Sequence, residues 1–290
     1  MSRTGLALPI AAVLTAMASF QVSAAFAKTL FPVLGPQGAV AVRLTLGSLM
    51  LLALTRPWRR WPARAAWSPL LGLGVSVAVA VLFFYLAISR LPLGVSIALQ
   101  FLGPLSVAVF GSRRALDLAW AALAAAGVWL LVAPGGLHLT ADPQGIAYAL
   151  AAAAGWAGYI LFGRVAGASL GPSTAALATT LAALLVLPFG AARAVALVAT
   201  PSLIPLALGV ALFSSVIPFS LELFAMPRMP ARTFAVFTSI EPVFGCLSGL
   251  VLLHEKLAWA QTAGVAAVIA AAAGAAWCAR AAPSPPPVVE

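Results

Sequence analysis

Charge is the scarcest commodity in this chain. Only 8% of its 290 residues are charged and just six are acidic, against 63% hydrophobic residues and a mean hydropathy of +1.09. Soluble globular chains carry about 25% charged residues, so a water-soluble fold is excluded and the sequence has to be read against lipid. Cysteine is rare too. Cys246 and Cys278 each lie inside an apolar run and lack metal-ligand spacing, which leaves them as packing thiols and leaves no disulfide framework. The two histidines, His138 and His254, fall in links and gather no metal-ligating neighbours, so no metal is expected. No P-loop is present, which excludes an ATP drive of the chain's own. No nucleophile and base stand at a telling spacing, so nothing argues for an enzyme, and no cofactor is implied.

What charge there is has one sign, giving a formal net charge of +10. In a soluble protein that would suggest nucleic acid. Here the arginines sit in short links between apolar runs, with no basic stripe, and read as topology determinants. Ten apolar segments can be marked, at about 6–28, 36–55, 67–88, 93–111, 116–134, 144–165, 172–190, 202–225, 231–253 and 257–279. The first follows Met1-Ser2-Arg3 but is too long for a signal-peptide core, and reads as an uncleaved helix. With the N-terminus in the cytoplasm, the inside links hold Arg3, Arg56, Arg59, Arg60, Arg64, Arg113, Arg114, Arg164, Arg228, Arg232 and Arg280. The outside links hold only Lys28, Arg90, Arg193 and Lys256. This bias predicts both termini in the cytoplasm, in the inner (plasma) membrane of the cell. The links leave no room for a soluble domain, and the proline-rich tail 281–290 is expected to be unstructured.

The chain repeats itself weakly. Leu34-Gly35-Pro36 recurs as Leu170-Gly171-Pro172, and the same offset pairs Phe20 with Trp156 and Lys28 with Arg164. Arg90-Leu91-Pro92 recurs as Arg228-Met229-Pro230, an offset that also pairs Pro104 with Pro242, and Leu118-Ala119-Trp120 recurs as Leu257-Ala258-Trp259. The order is kept, so the reading is a duplication: residues 6–134 form one five-span unit and 144–279 the other. Five is odd, so the second unit must cross the membrane in the opposite sense. Inverted repeats mark secondary transporters, with sites at the midplane between the halves. Alanine- and glycine-rich runs, as at 149–155 and 263–276, read as close helix packing.

The stretch 218–242 draws most attention. It reads as one helix end, a tight turn at 226–230, and the start of the next helix, and it holds two of the six acids. Glu241 lies roughly 15 Å along its helix from the turn, near the centre of a hydrocarbon layer about 30 Å thick. A carboxylate at that depth is a functional-site hypothesis by default, with interhelical glue as the bland alternative. Pro242 follows it and frees the carbonyl of Thr238; Pro104 does the same for Gln100 in the fourth span. Glu222 precedes the turn, within reach of Arg232 and Arg228, where a local ion pair explains it without a substrate. Arg43 lies roughly 10 Å into the second span. Two readings stand for it: snorkelling to the outer surface, or gripping a carboxylate inside the bundle with its two-pronged head. Lys28, nearer a helix end, reads as a snorkelling residue, on one face with Gln21. Gln100 with Ser96 and Gly103, and Trp156 with Tyr159, form a polar and an aromatic strip, each a cavity wall or core packing.

Read together, these residues resemble the drug/metabolite transporter superfamily in its ten-helix form with two EamA repeats, and within it the RhtA-like threonine/homoserine exporter subgroup. The resemblance runs from about residue 8 to about 279. It is carried by Ala16-Met17-Ala18-Ser19, Ala27-Lys28-Thr29-Leu30-Phe31-Pro32, Arg43-Leu44, Pro92-Leu93-Gly94, Gly103-Pro104-Leu105 and Ser112-Arg113-Arg114. Above all it rests on Ser220-Leu221-Glu222, Pro230-Ala231-Arg232-Thr233-Phe234 and Glu241-Pro242. It implies ATP-independent efflux of small amino acids or related metabolites. One departure is Gln100, where relatives often carry a glutamate: a proton-coupling role at this position has no titratable group.

The expectation is therefore an all-α membrane protein of ten transmembrane helices in two inverted five-helix repeats, exporting threonine- or homoserine-like amino acids. Its partners would be a small-molecule substrate and the lipid bilayer, not nucleic acid. Arg43 would meet the substrate carboxylate and Glu241 the ammonium, because a zwitterion in a dry site needs one partner of each sign. Gln100, Thr238 and Gln21 would bond its polar groups, Trp156 and Tyr159 would line the wall, and Pro104, Pro242, Glu222 and Arg232 would serve structure or coupling. The alternatives are an exporter of another metabolite, such as an aromatic amino acid or a cationic drug, and a non-transporting membrane scaffold.

Overall fold

The computed structural model describes residues 3–59, 66–110, 115–132, 142–171, 173–225 and 241–278, and every regular element in them is helical. Helix α1 is Arg3–Thr29, α2 Phe31–Thr55, α3 Trp67–Ile88, α4 Leu93–Gln100, α5 Leu102–Phe110 and α6 Ala115–Val132. In the second half α7 is Pro143–Leu170, α8 Ser173–Ala194, α9 Ala196–Ala199, α10 Ile204–Ala211 and α11 Ile217–Ala225, with a π-helical segment at Leu212–Val216 between the last two. Helices α12, Glu241–Leu252, and α13, Trp259–Cys278, complete the chain.

Among the described residues, six helical stretches are long and apolar enough to cross a membrane. They are Ala7–Thr29, Phe31–Thr55, Trp67–Ile88, Pro143–Gly167, Ser173–Ala199 and Pro201–Glu222. The other expected segments hold shorter helices: α4 with α5, α6, α12 and α13. The turn expected at 226–230, Arg228, Arg232, Thr238 and the tail lie outside the described residues.

Local chemistry explains the helix ends. Asp142 caps α7: its carboxylate accepts from the Gln144 backbone N–H at 2.9 Å, and Pro143 opens the helix where no N–H is needed. Burial is slight there, and the hydrogen bond from Arg90 holds the Asp142 carboxyl below its ordinary range, helped by the backbone N–H groups of Gln144 and Gly145. The second span differs from expectation. Its helix starts at Phe31, not near Pro36, and kinks at Gly35, whose φ of 63° suits a residue without a Cβ. Packing at the kink is close: the Arg193 side chain of α8 lies against Gly35.

The fourth span breaks where Pro104 withholds its N–H. Helix α4 stops at Gln100 and α5 starts at Leu102. The small residues pack as expected, since a Cβ on Gly155 would run into the Ala80 backbone and one on Gly190 into the Gln37 carbonyl. Helix α3 packs mainly on α7, α2 on α8, α6 on α13, α4 on both α7 and α12, and α1 on α11 and α12. Leu184, Phe189, Leu161 and Val198 stay exposed on the outer surface, as suits side chains that face acyl tails.

Candidate functional site

Glu241 opens α12 and is reached from α1. Gln21, fully buried, donates from Nε2 to Glu241 Oε1 at 2.7 Å. The pair joins residues from the two halves, and no sequence spacing announces it. Glu222 on α11 lies in the vicinity of Glu241 and of Tyr159 on α7. The arginines expected beside it, Arg228 and Arg232, lie outside the described residues.

Arg43 settles inside the bundle. It is 2% exposed, and its guanidinium carbon stands 4.9 Å from the Phe20 ring centroid and 5.4 Å from that of Tyr85. Cation–π stacking of this kind suits a weakly hydrated guanidinium removed from water. Its Nη2 donates to the Ser214 carbonyl at 3.1 Å. Among the described residues no carboxylate lies within 4 Å of it.

The two strips read separately from the sequence meet here. Trp156 Nε1 donates to Gln100 Oε1 at 3.1 Å, and the indole packs edge-on to Tyr159 at 5.2 Å and to Phe20 at 6.2 Å between centroids. Phe20 thus stands between the Arg43 cation and the Trp156 wall, while its neighbour Gln21 holds Glu241. Gln21, Arg43, Gln100, Trp156, Tyr159, Glu222 and Glu241 gather around α1. Gln21, Arg43 and Gln100 are sealed from the outside in this conformation. Pro104 is the third residue of α5, and Pro242 is the second residue of α12.

Lys28 corrects the expectation of a snorkelling residue. Its ammonium meets Glu255 Oε1 at 2.5 Å, and Glu255 Oε2 accepts from the Leu93 backbone N–H at 2.7 Å, capping α4. A long-range carboxylate outcompetes the interface for this lysine.

The sequence reading missed Phe20 and Tyr85 as partners of Arg43, and it missed the π segment. The signal was present in Ser214-Ser215-Val216-Ile217-Pro218. Pro218 has no N–H to give, either to Ser214 four residues back or to Phe213 five back. Donors from the first half cover what is freed: Ser19 reaches the Phe213 carbonyl at 2.6 Å and Arg43 that of Ser214, while Ser23 reaches the Val210 carbonyl of α10 at 2.9 Å. A separate cavity of about 170 Å³ between α2, α8 and α9 is lined by Ala41, Val42, Thr45, Leu46, Leu187, Ala194 and Leu197, and contains none of the residues named above.

The chain is similar to known proteins along nearly its whole length. The chain is 45% identical over 267 residues to the threonine/homoserine exporter RhtA of Escherichia coli (strain K12), covering 92% of this chain and 90% of the relative. It is 44% identical over the same length to the threonine/homoserine exporter RhtA of Salmonella typhimurium (strain LT2). A protein of known crystal structure shares the fold at a TM-score of 0.57 and 21% identity, over 96% of this chain and 98% of that one. Residues 143–277 match the EamA-like transporter family directly. Its helices are long and apolar enough to span a bilayer several times, its relatives match it nearly end to end, and the chain belongs to the EamA-like transporter family.

Proposed function

We propose that this protein exports small amino acids, threonine and homoserine among them, across the inner membrane through a site between two inverted five-helix repeats. The observation that carries the reading is the near-full-length identity to proteins named threonine/homoserine exporters. The site chemistry agrees with it. Arg43 is a buried cation without an acidic neighbour among the described residues, and Glu241 is a carboxylate held in the same interior by Gln21. A substrate bearing one charge of each sign complements them, and Gln100, Trp156 and Tyr159 supply the wall. Thr238, Arg232 and the coupling role of Pro242 remain part of this proposal on sequence grounds.

The packing pattern supports the repeat reading. With the spans numbered one to ten, a two-fold relation maps one onto six, two onto seven, three onto eight, four onto nine and five onto ten. Spans two and seven, four and nine, and five and ten then pair with their own counterparts. The contact of three with six maps onto that of eight with one. Each of these contacts is made: α2 with α8, α4 with α12, α6 with α13, α3 with α7, and α11 with α1. The family match at 143–277 is nearly coextensive with the proposed second unit. The bias of basic residues supports cytoplasmic termini.

The test is flux of labelled threonine and homoserine in proteoliposomes, with and without a pH gradient, alongside aromatic amino acids as competitors. Wild-type protein should move threonine and homoserine, and Glu241→Gln should abolish that flux while remaining folded in the membrane. Flux unchanged by Glu241→Gln removes this carboxylate from the mechanism; no flux of any amino acid by the wild type removes the export reading.

A further inference from the structure

Hydroxyls in membrane helices ordinarily bond to a carbonyl of their own helix three or four residues back. Many hydroxyls of this chain follow that habit, although those of Ser96 in α4 and Thr179 in α8 have no partner among the described residues. Ser48 bonds to Thr45, Ser76 to Gly72, Ser106 to Gly103, Thr180 to Ala176 and Ser220 to Val216. Ser214 and Ser215 do not. Each is 1% exposed, and among the described residues neither hydroxyl has a hydrogen-bond partner. The π segment that carries them turns the Phe213 and Ser214 carbonyls toward Ser19 and Arg43.

The same neighbourhood holds Arg43 Nε, unpartnered on a side chain 2% exposed, and the hydroxyl of fully buried Tyr85, whose oxygen lies by the Arg43 guanidinium and whose hydrogen has no acceptor among the described residues. These groups share one locus. Arg43 bonds the Ser214 carbonyl and stacks near the Tyr85 ring. Ser215 lies against Gly47, one helical turn from Arg43 on α2, where an added Cβ would stand 2.9 Å from the serine Oγ. Gly47 therefore leaves Ser215 its room. Buried polar groups left unsatisfied are few in native proteins, and each asks for a water, an ion or a ligand. Here every one of the four side chains can donate, and the only formal charge is positive. That inventory fits a carboxylate.

We infer that Ser214 and Ser215 are hydroxyl donors of a carboxylate subsite built around Arg43, with Tyr85 as its further donor. The inference rests on the export reading for its occupant, the α-carboxylate of the exported amino acid. The π segment shapes the subsite by turning the Ser214 carbonyl to Arg43 beside the two hydroxyls.

The experiment compares purified wild type with a Ser214→Ala/Ser215→Ala double variant, reading thermal stabilisation by L-threonine, L-homoserine, lactate and L-threoninamide. Alanine favours helix, and the Arg43 bond to Ser214 runs through the backbone, so the double variant keeps its frame; Ser214→Thr, which keeps a hydroxyl, is the second variant. The three acids should stabilise the wild type and the amide should not. The double variant should need at least about tenfold more of each acid, in keeping with the loss of hydrogen bonds to a charged group, while Ser214→Thr stays within a few-fold of wild type. Equal potency of the acids on wild type and double variant overturns the inference, as does threoninamide acting as well as threonine, or no acid acting at all. Labelled-threonine flux, read in parallel, separates the two claims. Flux with serine-independent binding sinks the subsite alone. Serine-dependent binding of acids without flux sinks the export reading alone.

Discussion

The Lys28–Glu255 contact offers the sharpest test of how the helices are tied together. Glu255 does two jobs: Oε1 meets the Lys28 ammonium at the end of α1, and Oε2 caps the first N–H of α4. The loop that presents it is fixed by its own backbone, since the N–H groups of Leu253 and Glu255 both bond the Gly249 carbonyl and His254 takes a φ of 53°. The two side chains are 26% and 15% exposed, so the pair is neither a surface pair nor a sealed one. Two unit charges about 4 Å apart attract by about 4 kcal/mol at an effective dielectric near 20. Partial desolvation of both ions offsets much of that. A net coupling of about 1–2 kcal/mol follows, above the exposed-pair median and below a buried one. Glu255→Gln keeps an acceptor for Leu93 but strands the ammonium, and should cost about that amount. Lys28→Met leaves the carboxylate on a helix N-terminus that favours it, and should cost less. In a double-mutant cycle, read from reversible unfolding in mixed detergent micelles, the double variant should lose about as much as Lys28→Met alone. Single losses that add to within about 0.5 kcal/mol would mean the two charges do not interact, and the reasoning fails.

Two further outcomes follow from the geometry. Gly103→Ala should destabilise by at least about 1–3 kcal/mol, because the added methyl runs into the Ala153 carbonyl of α7; Gly167→Ala, where a Cβ meets nothing within 4 Å, should be neutral or stabilising in the same unfolding assay. Asp142 supplies the pH dependence: Arg90 lowers its folded-state pKa, so its stabilising share is complete above the ordinary value of 3.8 and is lost as pH falls through the lower folded value. The gap in unfolding midpoint between wild type and Asp142→Asn should hold steady from neutral pH down to about 5 and close in stronger acid; a gap that widens in acid reverses the sign argued here.

Much of this was legible because lipid is an exacting solvent. A run of apolar residues long enough to cross it is visible without knowing any neighbour, and the helices lie where those runs lie. Scarcity did the rest. With six acids in the chain, Glu241 and Glu222 could be singled out by type alone, and both stand near α1. Partners were harder. Gln21 and Glu241 are 220 residues apart, Lys28 and Glu255 227 apart, and no local pattern encodes either contact. Arg43 was left between two readings because depth alone does not say which way a helix faces. Packing decided it, through Phe20 and Tyr85.

The π segment shows why hydropathy could not reach the remaining residues. Ser214 and Ser215 sit in an apolar run whose composition reads as uninterrupted helix, and a proline in such a run ordinarily signals a kink and no more. The consequence lies in the donor count. In α pairing Pro218 orphans the Ser214 carbonyl; in π pairing it orphans that of Phe213. Neither register satisfies both, and an unpaired carbonyl in hydrocarbon costs several kcal/mol. The fold covers both at once, with Ser19 on one and Arg43 on the other. Arg43 is therefore held by a bond to the carbonyl that α pairing at Pro218 leaves without a donor. A guanidinium anchored to the backbone in this way is what the proposed carboxylate subsite requires.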